Sequence, residues 1–172
     1  MDKSLCLYFQ VHQPDRLRLY RFFDIGNDSQ YFDEFANKTI LRRVAERCYL
    51  PMNSLMLELI DKFKGEFKIA YSISGVALEQ FEKYAPDVLE SFKRLAETKC
   101  VEFLAETYSH SLASLVSEKE FKAQVKAHAA AIKKHFGHGF HGPQHIFLLG
   151  ERHSGARKAR QAAACILKLQ PE

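Results

Sequence analysis

The sequence predicts an α/β fold of about three to four parallel strands alternating with helices, forming a sheet or barrel with right-handed crossovers. Three observations predict it. Short apolar segments alternate with longer helical patterns in the order strand, helices, strand, helices, strand, helix. Prolines, glycines and capping residues punctuate the segments. Polar residues follow each strand directly, where ligand sites form in such sheets.

The elements follow in order. Ser4–His12 (Ser-Leu-Cys-Leu-Tyr-Phe-Gln-Val-His) reads as a strand buried on both faces, stopped by Pro14. Residues 15–37 carry Arg, Asp, Asn and aromatics without clean periodicity, and read as a long loop. Such loops in compact domains are usually functional. Thr39 is the expected cap of a helix through Ile40, Leu41, Val44 and Ala45. Pro51 is expected to start a second helix with Leu55, Leu59 and Phe63 on one face, closed by Gly65. Phe67–Ser74 is the second strand, and Gly75 turns the chain into a helix over Val76–Tyr84. Pro86 opens a helix through Val88, Leu89, Phe92 and Leu95, and Val101–Ala105 is the third strand. Ser117 and Glu120 have capping-box spacing, opening a helix that lasts to about His135.

Composition bounds the function. With 47% hydrophobic and 27% charged residues in 172, the chain is ordinary globular material for one domain, and disorder throughout is excluded. No apolar run approaches the roughly 18–20 residues of a bilayer span. Met1-Asp2-Lys3-Ser4 leads into a short apolar stretch without a small-residue cleavage site, so no secretory signal is expected. Cys6, Cys48, Cys100 and Cys165 lie far apart, which fits a reducing cytoplasm. Of the net charge of +4, +3 falls from Gly137 onward, as do His138, His141, His145 and His153. The nearly balanced body gives no reason to expect nucleic acid or an anionic membrane as partner. The shift at Gly137 divides the chain into residues 1–136 and a tail, 137–172.

The strand ends carry the chemistry. They read His12-Gln13-Pro14, then Ser72-Ile73-Ser74-Gly75, then Glu106-Thr107-Tyr108-Ser109-His110-Ser111. On one sheet edge these bring together imidazoles, a carboxylate, hydroxyls and an aromatic, the groups that bond sugar hydroxyls and stack on the apolar face of a sugar ring. Each residue also has a plainer role. His12 fits a hydrogen-bonded strand end, Glu106 an exposed loop carboxylate, Tyr108 a packing residue and Glu102 a structural one. Asp24 and Asp28 fit turn formation. The inference rests on three strand ends agreeing.

Other chemistries find less support. Phosphate-loop, dinucleotide and nucleophile-elbow motifs are missing. His138 and His141 are spaced for a metal but lack a recognisable third ligand, and no cofactor is expected.

Leu7-Tyr8-Phe9-Gln10-Val11-His12-Gln13-Pro14 resembles the first signature region of glycoside hydrolase family 57, the α-amylase and 4-α-glucanotransferase family. Val101-Glu102-Phe103-Leu104-Ala105-Glu106-Thr107-Tyr108-Ser109-His110 resembles its second. Arg21-Phe22-Phe23-Asp24-Ile25-Gly26-Asn27-Asp28 resembles its bacterial amylase-type members, and the similarity runs from about residue 4 to about 136. The resemblance implies an incomplete (β/α)7 barrel acting on α-glucans or malto-oligosaccharides by a retaining mechanism with two carboxylates. It implies His12, Gln13, Glu106 and His110 as substrate-binding residues. It assigns no catalytic residue, because the family's nucleophile and acid belong after Phe136. There the chain reads Gly137-His138-Gly139-Phe140-His141-Gly142-Pro143-Gln144-His145, and the context of Glu151 does not fit.

The expected protein is therefore a truncated member, poorly stable and inactive alone. The alternatives are a non-catalytic sugar-binding or interaction module, and a metal-dependent enzyme related to polysaccharide deacetylases that uses tail histidines. A nucleic-acid binder through Arg152–Arg160 is disfavoured, because no aromatics interleave those charges. A shifted reading frame is the hypothesis for the tail. Codons for Pro143-Gln144-His145, read one nucleotide later, can spell Arg-Asn-Thr, which resembles the family's third region, although no Glu immediately follows. The gene past codon 136 is expected to continue the family pattern in another frame; neither alternative frame doing so would end the idea.

Overall fold

A computed structural model of the chain describes residues 7–137. Three strands, β1 (Tyr8–Val11), β2 (Ile69–Ile73) and β3 (Val101–Phe103), form a parallel sheet in the order β1-β2-β3. The register pairs Tyr8 with Ala70 and Ala70 with Glu102, so the carboxyl ends of the strands share one rim. The expected α/β class with parallel strands holds.

Between β1 and β2 lie α1 (Glu34–Val44), a π-helical turn (Ala45–Tyr49) and α2 (Leu50–Lys62). After β2 come α3 (Gly75–Tyr84) and α4 (Pro86–Glu97), and after β3 comes α5 (Glu118–Phe136). Asp33, not Thr39, caps α1: its side chain accepts from the Ala36 amide at 2.8 Å. The long loop is accordingly shorter than expected. It is pinned where the Arg16 amide donates to Asn37 Oδ1 at 2.8 Å and carries a short 3-10 turn, Phe22–Asp24. Asp24 and Asp28 do form turns there, accepting from the Arg21 and Gln30 amides.

Pro51 does not begin a separate helix. The helical backbone passes through the π turn, where the Leu50 amide reaches back to the Ala45 carbonyl. A widened turn just before a proline accommodates its ring and its missing N–H. The buried face of α2 is Asn53, Met56 and Ile60; Leu55 and Phe63 are exposed and Leu59 is half-buried. The expected face missed this because Asn53 looks like a surface residue. It is buried because Tyr71 Oη donates to its carbonyl at 3.3 Å and its amide donates to Ser91 at 2.8 Å.

Each of the three strands ends earlier than expected, β1 at Val11. Ser74 leaves β2 to cap α3, accepting from the Ala77 amide, and β3 stops at Phe103. All of β2 is buried, but β1 is not buried on both faces, since Gln10 is exposed. Phe9, Val11, Tyr71, Ile73 and Phe103 join the helices in the core, with Val88, Leu89, Phe92 and Leu95 of α4 buried as expected. Tyr71 is central: its ring stacks on Phe9 at 5.3 Å and meets Phe92 edge-on, and burial pushes its hydroxyl up to about 12. Ser117 caps α5 as expected, and Gly137 closes the helix in the left-handed region at φ 71°. Among the described residues, Phe22, Phe23 and Phe35 are at least 80% exposed.

Gly75 begins α3 beneath the Tyr108 ring, and a Cβ there would lie 2.3 Å from that ring. Gly75→Ala must push Tyr108 and its turn away. The expected cost is about 1–3 kcal/mol by urea unfolding; an unchanged midpoint would contradict the packing.

Candidate functional site

The rim is built by residues that alternate along the strands. Tyr8, Gln10 and His12 on β1 and its extension face away from the helical core, beside Ser72 and Ser74 at the end of β2. On the third strand the same face ends at Glu106.

Glu106 is buried at 6% exposure. Its Oε1 accepts from Ser72 Oγ at 2.6 Å, and its Oε2 accepts a hydrogen bond from His110 Nδ1 at 2.8 Å. Glu106 is therefore not the exposed loop carboxylate of the plainer reading. Tyr8 bonds Ser72 in turn; burial pushes its phenol up, Ser72 opposes that, and the Glu106 charge adds to it. His110 reaches Glu106 because the chain turns back on itself: its amide donates to the Thr107 carbonyl at 3.0 Å, and its φ is 53°. A left-handed backbone on a non-glycine residue is a cost tolerated where the side chain is needed.

The His110 ring stacks on His12 with centroids 4.6 Å apart. With its Nδ1–H donating to Glu106, its Nε2 accepts from the exposed Gln10 amide at 3.3 Å. His12 Nδ1 lies 2.7 Å from Ser74 Oγ. Burial holds the His12 imidazole below its ordinary value; the neighbouring His110 adds to this and Glu106 opposes it. The result is a neutral ring beside a carboxylate-bound ring, offering donors and acceptors on a partly open edge.

Gln13 is not part of this cluster. It is buried, its amide donates to Tyr49 Oη at 3.0 Å, and its backbone carbonyl accepts from Gln80. Tyr108 is a packing residue: its hydroxyl donates to Glu79 at 2.5 Å and is pushed up to about 12, chiefly by burial. Ser72 and Ser74 take part as the polar end of the second strand, whereas Gln10 and the fully buried His128 of α5 were not singled out from sequence. Period-two alternation from Gln10 to His12 was the available signal for Gln10. His128 sits on the apolar stripe of a helix, where sequence reads a core residue. Among the described residues no group of three or more His, Cys, Asp or Glu could hold a metal ion, and the tail histidines lie outside them.

The model of glycosyl hydrolase family 57 matches residues 6–147. The chain belongs to glycosyl hydrolase family 57. A curated protein of Methanocaldococcus jannaschii named "Putative alpha-amylase" is 44% identical over 132 residues. That stretch is 75% of this chain and 28% of the relative, so the family 57 chain spans little more than a quarter of the length of that protein. The 4-alpha-glucanotransferase of Thermococcus litoralis shares the fold at TM-score 0.61 and 17% identity, over 91% of this chain and 21% of its own. The alpha-amylase AmyC of Thermotoga maritima does so at TM-score 0.58 and 17% identity, over 91% and 38%. The family 57 match thus covers both strand-end segments that carry the resemblance, and the fold is a part of the family's barrel. No described helix is long and apolar enough to cross a membrane.

His12, His128 and His135 are all held below the ordinary imidazole value of 6.5, in each case first by burial. The unfolded chain therefore binds more protons below 6.5 than the folded one. Their contribution is complete above that value and is lost as pH falls through the window beneath it. Urea unfolding is expected to show lower stability at about pH 5.5 than at about pH 7.5. Equal or greater stability at the lower pH would contradict the burial of these rings.

Proposed function

We propose that residues 7–137 form the sugar-holding part of an α-glucan-acting enzyme of the hydrolase or transferase type. One observation carries the reading: His12 and His110 stack at the rim while His110 is anchored to the buried Glu106. Neutral imidazole presents one donor and one acceptor, and a carboxylate accepts from paired hydroxyls. Together they suit vicinal sugar hydroxyls better than a phosphate or a cationic ligand. In this reading His12 and His110 contact a glucose unit of a malto-oligosaccharide, and Glu106 lies directly behind them, holding the His110 ring. Gln13 supports them from below through Tyr49 and Gln80.

Retaining cleavage needs two carboxylates about 5–5.5 Å apart. Among the described residues, Glu106 is the one carboxylate in the hydrogen-bonded cluster, and both of its oxygens are engaged. The chain is therefore read as binding glucan without cutting it. A cytoplasmic setting, suggested by the scattered cysteines, belongs to the same proposal.

Calorimetric titration of the purified chain with malto-oligosaccharides is expected to give measurable binding, weakened at least about tenfold by His110→Ala, or about 1.4 kcal/mol. Equal affinity in the variant, or no binding by the parent chain, would overturn the reading. Incubation with amylose is expected to release no reducing ends; robust release would refute the absence of a cleaving pair.

A further inference from the structure

The hydrogen bonds between β2 and β3 follow the regular parallel pattern until the rim. The Ile69 amide donates to the Cys100 carbonyl at 3.1 Å, and the Leu104 amide to the Tyr71 carbonyl at 2.7 Å. With Tyr71 paired to Phe103, such a ladder continues from the Ile73 amide to the Leu104 carbonyl and then from the Glu106 amide to the Ile73 carbonyl. An imidazole occupies that last rung instead. The Glu106 amide donates to His128 Nδ1 at 3.4 Å, and His128 Nε2 donates to the Ile73 carbonyl at 2.8 Å.

We propose that His128 is a positioning residue: a neutral imidazole wedged into the β2–β3 ladder, spacing the two strand ends and thereby aiming Glu106 and His110. Its effect on sugar holding rests on the function proposed above; the wedge itself does not. The two backbone groups require one acceptor and one donor, and only the tautomer protonated at Nε2 supplies both. Protonation at Nδ1 would set an N–H against the Glu106 N–H. The residue is completely buried, and it is carried on α5, a helix of 19 residues fixed at its start by the Ser117 cap. The ring therefore ties the position of α5 to the level of the rim. Burial also holds the imidazole below its ordinary value, which favours the neutral form the wedge needs.

Nitrogen NMR of the histidine-labelled full chain is the first test. His128 is expected as the neutral Nε2–H tautomer at pH 7; an Nδ1–H tautomer or a charged ring would overturn the wedge. Two variants provide the second test. His128→Gln keeps a donor and an acceptor, whereas His128→Leu keeps neither. His128→Leu is expected to move the ring-nitrogen resonances of His110 at pH 7 and to weaken malto-oligosaccharide binding about tenfold, with His128→Gln lying closer to the parent. Unmoved His110 resonances in His128→Leu, or a Gln variant no better than Leu, would overturn the positioning role. If His128→Leu does not fold, the tautomer in the parent chain decides: Nε2–H supports the wedge and Nδ1–H overturns it. If the parent chain binds no sugar, the proposed function fails, while the tautomer and the His110 resonances still judge the wedge.

Discussion

Burying the Glu106 carboxylate sets the demands that the rest of the rim meets. An ionised carboxylate withdrawn from water is tolerated only when its oxygens are hydrogen-bonded or paired. At 6% exposure Glu106 needs partners on both oxygens, and it takes them from two directions: the Ser72 hydroxyl on the neighbouring strand and the His110 imidazole four residues ahead. The second partner dictates the turn. For His110 to fold back over Glu106 the backbone must enter the left-handed region, a strain on the order of 1–2 kcal/mol for a residue with a Cβ. A charge-assisted hydrogen bond, at roughly 1.5–3 kcal/mol, offsets it. His110 then lies where it stacks on His12, so the position of the first strand's imidazole and that of the third strand's carboxylate are linked through one ring.

The sheet is two-faced, and that property turns a small fold into a site. Odd-numbered residues of β1 and β2 (Phe9, Val11, Tyr71, Ile73) pack against the helices. Even-numbered ones (Tyr8, Gln10, His12, Ser72, Ser74) point to the other side. A slip of one residue would exchange the two sets. The aromatic packing around Tyr71 therefore holds the register that keeps the polar set together on the face away from the helices, where Ser72 and Ser74 are themselves buried. Any substitution that loosens Tyr71, Phe92 or Phe103 acts on the rim through that register.

Much of this was legible in the sequence, for identifiable reasons. The element order, α4 and the convergence of the three strand ends follow from strong local signals: Pro86 with an apolar stripe, Ser117 with Glu120, and polar clusters after apolar runs. The start of α1 and the buried face of α2 were not legible. Asp33 competes as a cap with Thr39, which lies inside the helix, and the π turn before Pro51 continues a helix that proline normally ends. Asn53 and His128 were missed for a common reason. Each is a polar side chain made acceptable in the core by partners distant in sequence, Tyr71 and Ser91 for one, Ile73 and Glu106 for the other. Gln13 was the opposite case. It adjoins His12 in the chain, but period-two alternation sends its side chain toward Tyr49 and away from the imidazoles.

The hydrogen bonds named in the cluster run among three adjacent strand ends and one helix that packs on them, so the geometry of the rim is established by neighbours in the sheet. Cleavage makes a different demand. It requires two carboxylates about 5–5.5 Å apart across a sugar ring. That spacing is wider than a hydrogen bond and sets the two groups on either side of a substrate, unlike the contacts that bind the Glu106 oxygens to Ser72 and His110. A barrel can therefore assign sugar recognition to one run of strands and bond breaking to another. In that arrangement the substrate joins the two.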